Sequence, residues 1–206
     1  MKTITEIKKV GRGDRYHLFL DDEYFGTYEA EILAKSAVKT GQSYDEEFFE
    51  KLKIENGNYA CFNRGLSLLE KTMKTEKMLK DYLKGKGYPK ECIARAIEKL
   101  KSYGYINDEI FAETFISSYK NVKSKRKLLY DLMSKGVDKE IIEEKLNEMT
   151  NDEDERQKCL NLASKYMKNK ECDIKTKQKL YNHLAGKGFD YSLVSYAWEK
   201  IESGRN

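Results

Sequence analysis

The sequence is short of the residues that build sites. It has one proline, two histidines and four cysteines in 206 residues, and it has no uninterrupted apolar run long enough to span a bilayer. With so little proline, long stretches are free to stay helical. His17 and His183 have no Cys, Asp or second His at the spacing of a metal site or a catalytic triad. Cys61, Cys92, Cys159 and Cys172 are spread too widely and irregularly for a C-x-x-C pair or a disulfide framework, and they read as reduced, packed thiols. Gly11 and Gly13 sit in a turn with no Gly-Lys-Ser/Thr behind them, which argues against a phosphate-cradling loop. The acid pairs Asp21-Asp22 and Asp152 to Glu155 read as turn or linker residues rather than carboxylates converging on a cleft. No catalytic residue, metal or cofactor is therefore expected. The opening MKTITEIKKV lacks the apolar core of a signal peptide, so the expected location is the cytoplasm, away from any membrane.

What is present is charge mixed with enough apolar surface for a core. Charged residues are 36% and apolar residues 39%, and the mean hydropathy is −0.80, a balance that fits a soluble helix-rich chain rather than a disordered one. The excess of 39 basic over 35 acidic residues does not by itself point to nucleic acid.

The first forty or so residues differ from the rest. Ile4 to Val10, Tyr16 to Leu20 and Tyr24 to Tyr28 are short β-branched or aromatic runs parted by turn residues, which predicts a small antiparallel meander. A helix over about Glu29 to Lys39, ending at Gly41, is expected to follow.

From Asp45 onward the apolar spacing is helical, and a unit of about fifty residues recurs. Lys86-Gly87-Tyr88, Lys135-Gly136-Val137 and Lys187-Gly188-Phe189 mark its three copies. Twelve residues before each glycine stand Thr75, Ser124 and Thr176, expected N-caps of a central helix. Leu79 and Leu83, Leu128 and Leu132, and Leu180 and Leu184 then give that helix one apolar face. The glycine closes the helix in the left-handed conformation. Pro89, Asp138 and Asp190 open the next helix, whose stripe is Ile93, Ile97 and Leu100, then Ile142, Leu146 and Met149, then Val194, Trp198 and Ile201. An amphipathic segment precedes each pair, with Phe111, Phe115 and Tyr119 inward in the second copy and Leu160, Leu162 and Tyr166 in the third. The expected fold is mainly α: three tandem three-helix repeats in a curved array behind a β-meander cap. The expected limits are 1–43 for the cap and 44–106, 107–150 and 151–206 for the repeats.

Basic residues gather at the central helices. Residues 71–90 and 165–187 each carry seven lysines against two acids, whereas residues 137–155 carry nine acids against two lysines. Lys77, Lys80 and Lys84 fall on the wheel opposite Leu79 and Leu83; Lys123, Lys125, Arg126 and Lys127 form a basic run; Lys175 and Lys177 open the third central helix. These nine are the candidate residues for a phosphate backbone, with a solvated helix face as the plain alternative for any one lysine. Arg12 and Arg15 are better read as turn residues, Tyr82 and Tyr105 as core or rim packing, and Trp198 as core.

The series Thr75-Glu76, Lys86-Gly87-Tyr88, Ile93-x-x-x-Ile97-x-x-Leu100 and Tyr105-Ile106-Asn107-Asp108-Glu109-Ile110-Phe111-Ala112 resembles the RecX repeat and its following G-x-I-D-D-x-x-F-A segment. Asn107 stands where that family usually has Asp, a mild change because both cap helices. The resemblance covers essentially the whole chain. It implies a monomeric regulator without enzymatic activity that binds the RecA–DNA filament and modulates strand exchange, ATP hydrolysis and co-protease activity in recombination, repair and the SOS response, with only weak binding to naked DNA. From the residues alone, two alternatives stand beside it. One is a direct DNA binder with helix-turn-helix-like modules, against which the acids of Ile141 to Met149 weigh. The other is a general helical scaffold.

Overall fold

The computed structural model describes residues 1–204, and for 152–154 the backbone alone. It divides into two compact units, residues 1–73 with 79–106, and residues 74–78 with 107–204.

The first unit opens with β1 (Lys2–Lys9), β2 (Arg15–Leu20) and β3 (Glu23–Glu29), the antiparallel meander that the β-branched runs predict. A short β4 (Ser43–Tyr44), not legible as a strand, pairs with β1 and completes the order β3-β2-β1-β4. The helix expected to reach Lys39 is only α1 (Ala30–Lys35). Ala37 takes φ +51°, and the Val38 amide donates back to the Leu33 carbonyl (3.1 Å), so an alanine makes the left-handed stop that the sequence would assign to Gly41.

The 24-residue α2 (Glu46–Leu69) is capped by Asp45, whose carboxylate accepts from the Phe48 amide. Its first half seals the cap core with Phe49 and Leu52, and its second half enters the core of the first repeat through Cys61. Midway, Asn56 accepts from the Glu29 amide (2.8 Å) and donates to the Thr27 carbonyl (3.2 Å), satisfying backbone groups of edge strand β3. With α3 (Glu76–Gly85) and α4 (Lys90–Ser102) it forms one three-helix group. The second unit holds two more groups: α5 (Asp108–Tyr119), α6 (Lys125–Ser134) and α7 (Lys139–Met149), then α8 (Asp152–Met167), α9 (Ile174–Gly186) and α10 (Tyr191–Ser203). The acidic run read as linker is thus the opening turn of α8; the side chains of 152–154 lie outside the described residues.

All six leucines of the central-helix pairs are fully buried, and each Lys-Gly turn closes its helix in one way. Gly87, Gly136 and Gly188 have φ of 85°, 88° and 90°. The amides of Tyr88, Val137 and Phe189 reach back to the carbonyls of Leu83, Leu132 and Leu184 at 3.2–3.3 Å, the six-to-one bond of a Schellman stop. Trp198 is core, as expected.

Two expectations shift. The inward face of α5 is Ala112 and Ile116, and that of α8 is Cys159, Ala163 and Met167, so the stripes Phe111, Phe115, Tyr119 and Leu160, Leu162, Tyr166 lie on the shoulders. Ala112, Cys159 and Ala163 suit inner positions because the first and third helices of a group pack closely. In the first group a Cβ on Gly65 would stand 3.0 Å from Leu100 Cδ1. The third N-cap is also displaced: Asp173, not Thr176, is the cap, accepting from the Thr176 amide (2.6 Å), and α9 starts three residues early. A carboxylate is a stronger acceptor than a hydroxyl at a helix start, where the backbone dipole favours negative charge.

Burial raises the Cys61 thiol to about 11 and Cys159 to about 12, as expected of packed, unreactive thiols, and none of the four cysteines is in a disulfide.

The three turn glycines are not equivalent. Nothing lies within 4 Å of a Cβ built on Gly87, whereas at Gly136 it would stand 2.3 Å from Lys77 Cβ, and at Gly188 2.4 Å from Ser124 Oγ. Gly87→Ala should therefore cost about 1 kcal/mol, the left-handed conformation alone. Gly136→Ala and Gly188→Ala should each cost roughly 1–3 kcal/mol more for the overlap. Urea denaturation of the three variants checks the order, and equal losses would show that the close approach has no energetic weight.

Candidate nucleic-acid interface

The basic segments start where central helices begin, and two of those starts share one arrangement within the second unit. Thr75 and Ser124 are the buried polar residues among those described. The Thr75 hydroxyl accepts from the Met78 amide (3.1 Å) and donates to the Lys135 carbonyl (2.6 Å). The Ser124 hydroxyl accepts from the Lys127 amide (3.1 Å), and the Ser124 amide donates to the Lys187 carbonyl (3.0 Å). Alongside, the Glu76 amide donates to Asp108 and the Lys125 amide to Glu155, both at 3.0 Å. Each central-helix N-terminus is thus seated on a later Lys-Gly turn and met by a carboxylate from the helix that opens the later group. The carboxylates satisfy otherwise orphan amides and complement the helix dipole.

This seating fixes the basic side chains. Lys77, Lys80 and Lys84 are exposed along α3, with the Lys77 stem against Gly136. Of the run 123–127, only Arg126 is exposed. Lys125 is half-buried, and Lys127 pairs with Asp131 at 3.0 Å. Lys123 is drawn inward: its ammonium lies 2.8 Å from Asp131 and over the rings of Tyr119 (4.3 Å) and Phe115 (5.2 Å). Hence the basic run read from the sequence is partly internal. Lys175 and Lys177 are exposed on α9, with Lys177 5.4 Å from the Trp198 ring centre. The nine candidates thus fall into an exposed set of three on α3, Arg126, an exposed pair on α9, the half-buried Lys125, and Lys123 and Lys127, which serve an ion-pair network.

Asp131 is the residue that sequence reasoning passed over. Burial raises its pKa, but the hydrogen bonds and charges of Lys123 and Lys127 outweigh burial and leave it below the usual carboxylate range. The Lys127–Asp131 spacing of four on one helix was a readable signal; the approach of Lys123 from outside the helix was not. Arg12 and Arg15 are exposed on the cap. His183 stacks on Tyr166 at the surface; partial burial, then Lys187 and Lys170, lowers its pKa, which favours the neutral ring. Tyr82 is half-buried as expected, but Tyr105 is 50% exposed, edge-on to Tyr103.

Comparison with known proteins identifies this arrangement. Residues 61–100, 107–146 and 152–198 match the family models for the first, second and third three-helix domains of RecX. The chain belongs to the RecX family. Regulatory protein RecX of Clostridium beijerinckii is 36% identical over 203 residues, spanning 97% of this chain and 94% of the relative. Regulatory protein RecX of Bacillus subtilis is 31% identical over 208 residues, spanning 98% of this chain and 78% of the relative. A crystal structure of regulatory protein RecX superposes with a TM-score of 0.67 at 23% identity, covering 97% of this chain and all of that one, which speaks to the fold. The structure of RecX from Lactobacillus salivarius gives 0.60 at 25% identity over 72% of this chain and 98% of its own. The RecX fold, a helical array behind a small β-sheet, and a regulatory role follow. Among the described residues no helix is long and apolar enough to cross a membrane.

The pairing of Asp131 generates a prediction of opposite sign for stability and charge. Asp131→Asn should destabilise by about 1–2 kcal/mol, through loss of two charge-assisted contacts on a part-buried carboxylate. It should also release two ammonium groups and strengthen binding to polyanions. Because the folded pKa is depressed, the wild-type contribution is present above the unfolded pKa and is lost as pH falls through the folded one. Urea melts of both proteins from pH 7 downward should therefore converge in acid.

Proposed function

We propose that the protein regulates the RecA recombinase by binding the RecA–DNA filament, without chemistry or a cofactor of its own, and that it inhibits strand exchange, ATP turnover and co-protease activity. The observation that carries this reading is the match to regulatory RecX proteins over nearly the whole chain. Within that reading the cap spans 1–43 and the modules span 44–106, 107–150 and 151–206; the protein acts as a cytoplasmic monomer.

The surface chemistry supports a composite partner. Exposed cations on α3 and α9 and at Arg126 suit a phosphate backbone. The exposed acids Glu140, Glu143, Glu144 and Glu148 of α7 suit a protein surface and disfavour that helix as a major-groove reader.

The test is the ATPase rate of the cognate recombinase on single-stranded DNA, titrated with this protein. Suppression below one protein per recombinase protomer is expected, and no effect at saturation would overturn the reading. The triple variant Lys84→Glu, Arg126→Glu and Lys175→Glu should suppress at least about tenfold less well while each exposed change shifts stability by no more than about 0.5 kcal/mol. Full suppression by a folded triple variant would remove these cations from the filament contact.

A further inference from the structure

Within the second unit, a groove of about 480 Å3 runs between the ends of α5 and α7 on one side and α8 on the other. It brings together cations that the sequence places in separate segments: Lys120 from the C-terminal end of α5, and Lys158 and Lys165 from α8. None of these three is among the nine candidate residues read from the sequence. We infer that this groove is a binding site for the phosphodiester backbone of a single nucleic-acid strand, with Lys120 and Lys165 as its phosphate contacts.

The charge is concentrated and largely uncommitted. No carboxylate is among the described residues that line the groove. Lys158 has a side chain only 11% exposed, held by Glu155 (2.9 Å) and the Lys123 carbonyl (3.3 Å), so it is fixed in place and partly neutralised. Lys120 and Lys165 have no ion pair among the described residues. Two ammonium groups facing a concavity repel each other and focus a positive potential where an anion gains most.

The remaining lining distinguishes a strand from a simple anion. Gln157 donates to the Asn161 side-chain oxygen (2.9 Å), which leaves the Asn161 amide nitrogen free to donate, and Asn121 adds a second amide. Met149 and Leu162 supply apolar wall for a sugar or base. The volume lies in the roughly 300–1,000 Å3 range of pockets that enclose a small ligand, so a nucleotide unit enters and a duplex does not.

The site also touches the frame. Glu155, which holds Lys158, accepts from the Lys125 amide at the start of α6. A strand in the groove therefore contacts residues beside the seating of Ser124 on the Lys187 carbonyl.

This inference takes nucleic acid as partner from the filament reading, but its test needs no recombinase, so either can fail alone. Anisotropy of a dye-labelled oligothymidylate with the full chain is measured over a salt series. Lys120→Gln/Lys165→Gln should weaken binding at least about tenfold at low salt. It should also flatten the slope of log affinity against log salt by about 1.4, from ~0.7 per phosphate contact on a single strand. Lys8→Gln/Lys53→Gln, which removes the same charge elsewhere, should leave the slope unchanged. Three results would each overturn the assignment: an unchanged slope in the groove variant with its circular dichroism intact, an equal loss in both variants, or equal displacement of the oligonucleotide by inorganic phosphate or a polyglutamate peptide.

Discussion

Two backbone carbonyls, those of Lys135 and Lys187, carry the order of the helical array in the second unit. Each points out of a Lys-Gly turn, and each is met by the start of an earlier central helix, through the Thr75 hydroxyl or the Ser124 amide. A buried carbonyl left without a donor would cost roughly 1–3 kcal/mol, so the contact fixes where the earlier helix can begin. The turn must bring its backbone within reach, which leaves no room for a Cβ, and its left-handed geometry favours glycine a second time. Beside the Ser124 seat, Lys123 turns inward to Asp131 while Arg126 stays exposed.

Much of the frame was legible in the sequence because repetition multiplies weak signals. One Lys-Gly pair says little, but three with leucines four and eight residues before them and a capping residue after them define a helix, its stop and the next start. What the sequence hid was of two kinds. The inward positions Cys159, Ala163 and Met167 are smaller on average than their neighbours Leu160 and Leu162, and hydrophobicity alone assigns the larger residues to the core, whereas a close helix crossing takes the smaller ones. Short-range backbone events were equally silent: Ala37 ends α1 in a conformation that sequence reading reserves for glycine, and Asp173 displaces Thr176 as a cap by being the better acceptor.

The candidate surface was less legible than the frame. Counting charge along the chain treats every lysine as outward, yet Lys123 is enclosed by Asp131 and two aromatic rings, and Lys127 shares that carboxylate. Conversely, Lys120, Lys158 and Lys165 come from two separate helical groups and meet only because the array places α8 beside the ends of α5 and α7. Periodicity finds residues on one helix face; it does not find residues that different helices bring to one groove.

The seating of helix starts on the Lys135 and Lys187 carbonyls uses the main chain of those lysines and nothing of their side chains. Any residue at those two positions offers the same acceptor, provided the glycine follows it. Frame and surface are therefore written in separate alphabets, one of backbone and small residues, the other of long polar side chains. A lineage can rewrite the second almost freely while leaving the first intact, which is how a fold can persist at a TM-score of 0.67 when only 23% of residues are shared. Partner preference in such an array can drift, module by module, on a scaffold that does not have to be rebuilt.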